Sequence, residues 1–146
     1  MRIRRVAPAD IPALARIAAA AYRDAFAAII GPRALSARGP GFFARRFRRD
    51  RRRMRLASDR GRPVGFSLTT RRHLDMLFVD PGHQGRGAGR RLLAECERRG
   101  IRSLECFRDN LPARRFYEKA GWLRARAYDR VFAGARHGFL RYERVA

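Results

Sequence analysis

Val79-Asp80-Pro81-Gly82-His83-Gln84-Gly85-Arg86-Gly87-Ala88-Gly89-Arg90-Arg91-Leu92-Leu93 is the stretch that decides the fold. An apolar run, Leu74 to Val79, enters it and stops at Asp80-Pro81. A helical pattern leaves it from Arg90 onward. Between them, glycines at alternate positions let the backbone approach a ligand closely and take positive φ at little cost. Ahead of a helix, such a loop aims several free N–H groups and the positive end of the helix dipole at one spot. That spot suits a phosphate or a pyrophosphate. A glycine-rich loop alone also serves as an ordinary strand-to-helix turn, so the flanking chain has to identify the ligand.

Working outward, Ile3 to Val6 reads as a first strand. Asp10 is placed to cap a helix with Pro12 in its first turn, and Ile11, Leu14, Ala18, Ala21 and Ala25 form its apolar stripe. Gly31-Pro32 breaks that helix. A second helix runs from about Leu35 or Phe42 to Arg53, with Phe43, Phe47 and Met54 on one face and an arginine run on the rest. Met54–Ser58 and Val64–Thr70 form a hairpin around Asp59 to Pro63, and His73–Val79 is the next strand. After the glycine loop, Ala88, Leu92, Leu93 and Cys96 mark a helix that ends at Gly100. Ile101–Phe107 is a strand, and Asn110 opens a helix through Ala120. Trp122–Tyr128 and His137–Val145 close the chain as two strands around Phe132–Gly134. The order βααβββαβαββ is that of an α/β sheet with helices on its faces.

The 146 residues are read as one domain, residues 1–146. A chain of that size buries roughly 68–70% of its unfolded surface, enough for a core without staples. Cys96 and Cys106 give neither a disulfide framework nor a metal site. The pattern fits a reducing cytoplasm, with no membrane span and no metal. Thirty-five basic residues against 13 acidic give a net charge of +22. Only Lys119 among the basic residues is lysine, and alanine is abundant, which looks like the codon bias of a GC-rich genome. The charge is spread along the chain, so weak retention of nucleic acid without sequence preference is expected, and no specific nucleic-acid partner. Arg33, Arg38 and the arginine run could hold an acidic substrate, although so basic a chain offers arginine everywhere.

The chain resembles the Gcn5-related N-acetyltransferase (GNAT) superfamily. Gln84-Gly85-Arg86-Gly87-Ala88-Gly89 carries the family's central motif, behind Leu77-Phe78-Val79-Asp80-Pro81. Leu104-Glu105-Cys106, Asn110 and Phe116-Tyr117-Glu118-Lys119-Ala120-Gly121-Trp122 carry the second half. The resemblance is strong over residues 54–123. It implies a mixed, mostly antiparallel sheet with helices on both faces and a cofactor cleft between splayed central strands. It also implies acetyl-CoA as cosubstrate. The pantetheine arm would lie on the backbone of Leu77, Phe78 and Val79. The pyrophosphate would sit on the amides of Gly85, Arg86, Gly87, Ala88, Gly89 and Arg90, behind Gln84. Asn110 would touch the cofactor, or cap its helix, or both. The implied reaction moves an acetyl group directly to a primary amine of a small molecule or peptide. The alternative is a non-catalytic acyl-CoA-binding module on the same fold. The resemblance also allows a homodimer.

Tyr117 matches the residue that protonates the leaving thiolate in the family, or else packs a helix on the sheet. The amine must lose a proton before it attacks, since an ammonium has no lone pair. Glu105, five residues before Asn110, is one candidate acceptor. His73 and Asp75, two apart on one strand and so expected to share a face with Leu77 and Val79, are the others. An arginine salt bridge competes for Asp75, and a reaction with no dedicated base is the third option. Burial is expected to raise the pKa of Glu105. His83 is read as an exposed loop residue. The acceptor pocket is expected from the first two helices, their connection and the last hairpin.

Overall fold

A computed structural model describes residues 1–145. The elements are β1 (Arg2–Arg5), α1 (Ile11–Ser36), α2 (Pro40–Asp50), β2 (Met54–Asp59), β3 (Arg62–Thr70), β4 (His73–Val79), α3 (Ala88–Arg98), β5 (Ser103–Phe107), α4 (Leu111–Lys119), β6 (Leu123–Phe132) and β7 (Ala135–Glu143). They follow the order read from the sequence. The strands form one seven-stranded sheet, ordered β1-β2-β3-β4-β5-β7-β6. Every pairing is antiparallel except β4 with β5.

One face of the sheet is covered by α1 and α2. Leu14, Ala18, Tyr22, Phe43 and Phe47 pack there on Leu56, Phe66 and Leu68. The predicted face of α2 holds, with Phe43, Phe47 and Met54 each fully buried. Side chains of that size stabilise by about 1.5–3 kcal/mol apiece when taken from water. The other face is covered by α3 and α4, where Leu93, Cys96, Tyr117 and Trp122 pack on Leu74, Leu104 and Tyr142.

The local differences from the sequence reading have physical causes. The break at Gly31 is a kink (φ 83°, ψ 169°) with helix on both sides, so α1 resumes to Ser36. Ala25 faces water, and Phe26 takes its place in the core. Asp10 does not cap α1. A short 3₁₀ turn brings it to helical angles (φ −79°, ψ −19°), whereas an N-cap needs extended ones. Its carboxylate instead accepts from the Ala7 amide at 2.8 Å and from Arg4 at 2.8 and 3.0 Å. The α2 helix ends at Asp50, three residues before the expected Arg53. The last hairpin is longer on its first strand than the apolar pattern suggested, with β6 running on to Phe132.

Candidate active site

The site begins with a strand that leaves its neighbour. The β4–β5 pairing holds only at His73 with Ser103 and Leu74 with Leu104. On the other edge of β4, Leu74 faces Thr69 and Met76 faces Leu68, so Asp75 is an extra residue without a partner. Such a bulge bends the strand and increases its twist. Beyond it, β4 stays on β3 through Leu77–Ser67, Phe78–Phe66 and Val79–Gly65, and its other edge is free. A cleft of about 290 Å³ opens along that edge.

The bulge also overturns the simple alternation expected for β4. Leu74 is buried with α3 and α4, but Met76, two residues on, is buried with α1 and α2. Leu77 and Val79 turn toward α3, while Phe78 packs with α1. Asp75 accepts from Thr70 and lies 3.7 Å from Arg53.

The strand ends where the Asp80 amide binds the Val64 carbonyl at 2.8 Å. A 3₁₀ turn follows, with the Asp80 carboxylate accepting from the Gly82 amide at 3.3 Å. His83 is half-buried, with Nδ1 3.7 Å from Asp80, and not the open loop residue expected. The first amide past the loop to find a turn or cap partner is that of Arg91, on the Gly87 carbonyl at 3.1 Å. From Gly85 to Arg90 no such bond closes among the described residues, and these N–H groups are left for an external acceptor. The three glycines serve differently. Gly85 (φ 82°) and Gly87 (φ 91°) hold left-handed angles, and a Cβ on either would meet nothing within 4 Å. Gly89 sits under α4, where a Cβ would come within 3.4 Å of the Phe116 ring. Ala88 is buried, while Gln84, Arg86 and Arg90 are exposed around the loop. The open side of this cradle, at the N-terminus of α3, fits a pyrophosphate.

Asn110 lines the cleft and caps α4, its Oδ1 accepting from the Ala113 amide at 3.3 Å. The cap leaves its amide NH₂ available. Tyr117, on α4, lines the cleft with its ring buried against Trp122 and Tyr142. Its hydroxyl has no protein partner among the described residues, and burial pushes its pKa up, so it stays protonated at neutral pH. The same side chain therefore packs α4 on the sheet and keeps a protonated, unpartnered hydroxyl. Cys106 beside it is a free thiol pushed up to about 12 by burial.

The three candidate proton acceptors line the same cleft but are not equivalent. Glu105 accepts from the Tyr128 hydroxyl and from both Nε (3.0 Å) and Nη2 of Arg130. Burial alone would raise its pKa, but hydrogen bonds from Arg130 and Tyr128 outweigh it, and the net shift is downward. That reverses the expectation from sequence. Asp75 is held by Thr70 and Arg53. His73 binds Ser103 Oγ through Nδ1 at 2.8 Å, and its Nε2 has no partner among the described residues.

Residues far away in sequence complete the cleft. Tyr22 and Phe26 come from α1, Arg46 from α2, and Arg130, Phe132 and Phe139 from the last hairpin. These are the segments expected to build the acceptor pocket. The individual side chains on β6 were missed, although Tyr128, Arg130 and Phe132 stand at period two, the mark of one strand face. Among the described residues no three His, Cys, Asp or Glu side chains group as metal ligands, and no helix is long and apolar enough to cross a membrane.

Comparison with known proteins agrees with this geometry. The fold superposes on a GCN5-related N-acetyltransferase from Rhodopseudomonas palustris with a TM-score of 0.76 and 26% identity, over 97% of this chain and 92% of that one. It superposes on apo YjaB from Escherichia coli with a TM-score of 0.79 and 23% identity, over 97% and 95% of the two chains. PaiA N-acetyltransferase from Thermoplasma acidophilum, in complex with coenzyme A, gives 0.71 at 17% identity, over 98% of each. In sequence, a peptidyl-lysine N-acetyltransferase YjaB from Salmonella typhimurium is 47% identical over 36 residues, a stretch that spans a quarter of each chain. The acetyltransferase (GNAT) domain family matches residues 34–143, which include the splayed strand, the amide cradle and Tyr117. A chain that carries this family's pattern over three quarters of its length, and its fold throughout, belongs to the GNAT acetyltransferase family.

Proposed function

We propose that residues 1–146 act as one acetyl-CoA-dependent N-acetyltransferase domain that moves an acetyl group directly to a primary amine. The observation that carries this reading is the free edge of β4 running into unpaired loop amides, with the Tyr117 hydroxyl in the same cleft. The coenzyme A held by PaiA, a protein of the same fold, supports the choice of cosubstrate. Gly85 to Arg90 would hold its pyrophosphate, the edge at Leu77, Phe78 and Val79 its pantetheine arm, and Asn110 its amide groups. The cosubstrate supplies a thioester carbonyl open to attack by an amine.

The neutral amine forms the new C–N bond as the C–S bond breaks. Its proton passes to a base in the cleft, and Tyr117 gives its own proton to the departing sulfur. Of the three candidates, His73 fits the base best. Its Nε2 has no partner among the described residues, and Ser103 Oγ on Nδ1 orients its ring. Glu105 lines the same cleft but stays clamped by Arg130 and Tyr128. No cysteine or serine is needed as an acyl carrier.

The test is a primary-amine library with acetyl-CoA, read by release of the free thiol. Amine-dependent release is expected. Acetyl-CoA binding without release for any amine would point instead to a non-catalytic acyl-CoA-binding module.

A further inference from the structure

The charges at the α1–α2 end of the cleft do not balance. Arg130 is matched by Glu105. Asp50, buried, serves Arg46, Arg49 and Arg53 at 3.4, 3.2 and 2.7 Å. Arg38 forms no ion pair among the described residues; it donates from Nη1 to the Ala34 carbonyl at 3.1 Å and stands within hydrogen-bonding reach of the Tyr22 hydroxyl, which lines the cleft. Its guanidinium lies 5.3 Å from the centre of the Phe42 ring and 5.3 Å from that of Phe132, which lines the cleft. The guanidinium thus stands against two aromatic rings, and no carboxylate among the described residues pairs with it. Arg46 also lines the cleft and gives Nε to Asp50, and its terminal nitrogens have no hydrogen-bond partner among the described residues. The fields of Arg38, Arg46 and Arg130 meet at the Tyr22 phenol, whose hydroxyl burial pushes up against their pull.

Half-buried guanidinium groups with unused donors have lost hydration without a full set of partners. A carboxylate completes the set, because its two oxygens match the guanidinium fork. A chain of net charge +22 also repels a plainly cationic amine, whereas an amine that carries a carboxylate arrives with no net charge. We propose that this corner seats a carboxylate of the acceptor, so that the second substrate is an amine that also carries a carboxylate, gripped by Arg38 and Arg46. This rests on the acetyltransfer reading above. The carboxylate could be that of a free amino acid or an acidic side chain beside the amine of a peptide.

The experiment measures kcat/KM by thiol release for matched pairs at saturating acetyl-CoA. One set compares amino acids with their carboxamides. The other compares short peptides carrying Asp or Glu with those carrying Asn or Gln. Charge-assisted hydrogen bonds of this kind make the acid member better by about ten- to a hundredfold. The ratio should fall to within about threefold in Arg38→Met, and persist in Arg23→Ala, an exposed arginine of α1. Arg38→Lys, which keeps the charge and loses the fork, should give an intermediate ratio, so the result can be read even if Arg38→Met does not fold. The set that shows the gap identifies the source of the carboxylate. Amides turned over as well as acids, or a ratio that survives both Arg38 substitutions, would overturn the proposal while leaving acetyl transfer intact. A loss of acetyl-CoA affinity in the Arg38 variants, in place of a changed ratio, would overturn it by assigning these arginines to the cosubstrate's phosphates. No thiol release with any amine would overturn the acetyltransfer reading itself, and this proposal with it.

Discussion

Glu105 shows how a residue's neighbours decide its chemistry. Its position five residues before Asn110 is legible in the sequence, but its partners Tyr128 and Arg130 lie 23 and 25 residues away on another strand. The register of β5, β7 and β6 brings them together, and no local pattern encodes that register. With its carboxylate held below the usual range, Glu105 stays ionised through neutral pH and is a weak proton acceptor there. His73 keeps a ring nitrogen with no partner among the described residues. His73→Asn should therefore lower kcat/KM by about 10²-fold or more. Glu105→Gln should cost less than about tenfold, since its carboxylate is already held by Tyr128 and Arg130. The opposite pattern in steady-state kinetics would make Glu105 the proton acceptor. If neither variant lowers kcat/KM, amine that is already neutral is taken up.

At the scale of elements, the strand–loop–helix unit was legible because glycine chemistry is local. The bulge at Asp75 was not, because an extra residue leaves the composition of an apolar strand unchanged while reversing the side of everything after it. The kink in α1 was read at the right residue, but its outcome depended on helix resuming past Pro32. Within the loop, Gly87, like Gly85, is a position where any side chain is strained. Its φ of 91° is unfavourable for any L-residue, by about 1–2 kcal/mol, and a Cβ there would stand in open space beside the unpaired amides of residues 85–90. Gly87→Val should weaken acetyl-CoA binding by at least about tenfold in a calorimetric titration. It should also lower Tm by a few degrees, roughly 2–4 °C per kcal/mol in a chain of this size. Unchanged affinity would remove the pyrophosphate from this loop.

The whole molecule carries a net charge of +22, and arginine pairs with Asp10, Asp50, Glu95, Glu97 and Glu105 among its 13 acidic residues. The order of elements could be read from the sequence. The insertion of β7 between β5 and β6 could not, since strand neighbours far apart in the chain are fixed by packing and not by local pattern. The carboxylates of Asp10, Asp50 and Glu105 all sit below their ordinary range. Arg4 is the first cause for Asp10. For Asp50 and Glu105, burial pushes upward and arginine hydrogen bonds outweigh it. A depressed folded pKa adds stability above the unfolded value, about 4, and that stability is lost as pH falls through the folded value. Acidification also leaves the positive charge unopposed. Stability measured by urea unfolding should therefore drop between about pH 4 and pH 2. Asp50→Asn should be less stable at pH 7 and should lose less on acidification. An equal acid loss in the variant would show that the Asp50 cluster does not contribute.

The central claim, that this cleft transfers acetyl groups with Tyr117 as proton donor, is tested most directly by one comparison. Amine-dependent thiol release is measured in the wild type and in Tyr117→Phe, alongside acetyl-CoA affinity, under conditions where chemistry limits the rate. The ring of Tyr117 is buried among Trp122 and Tyr142, and phenylalanine preserves that packing while removing only the hydroxyl. The account predicts a fall in kcat of about 10²–10⁴-fold with acetyl-CoA affinity unchanged. A fall of less than about threefold would contradict it and leave Tyr117 as a packing residue.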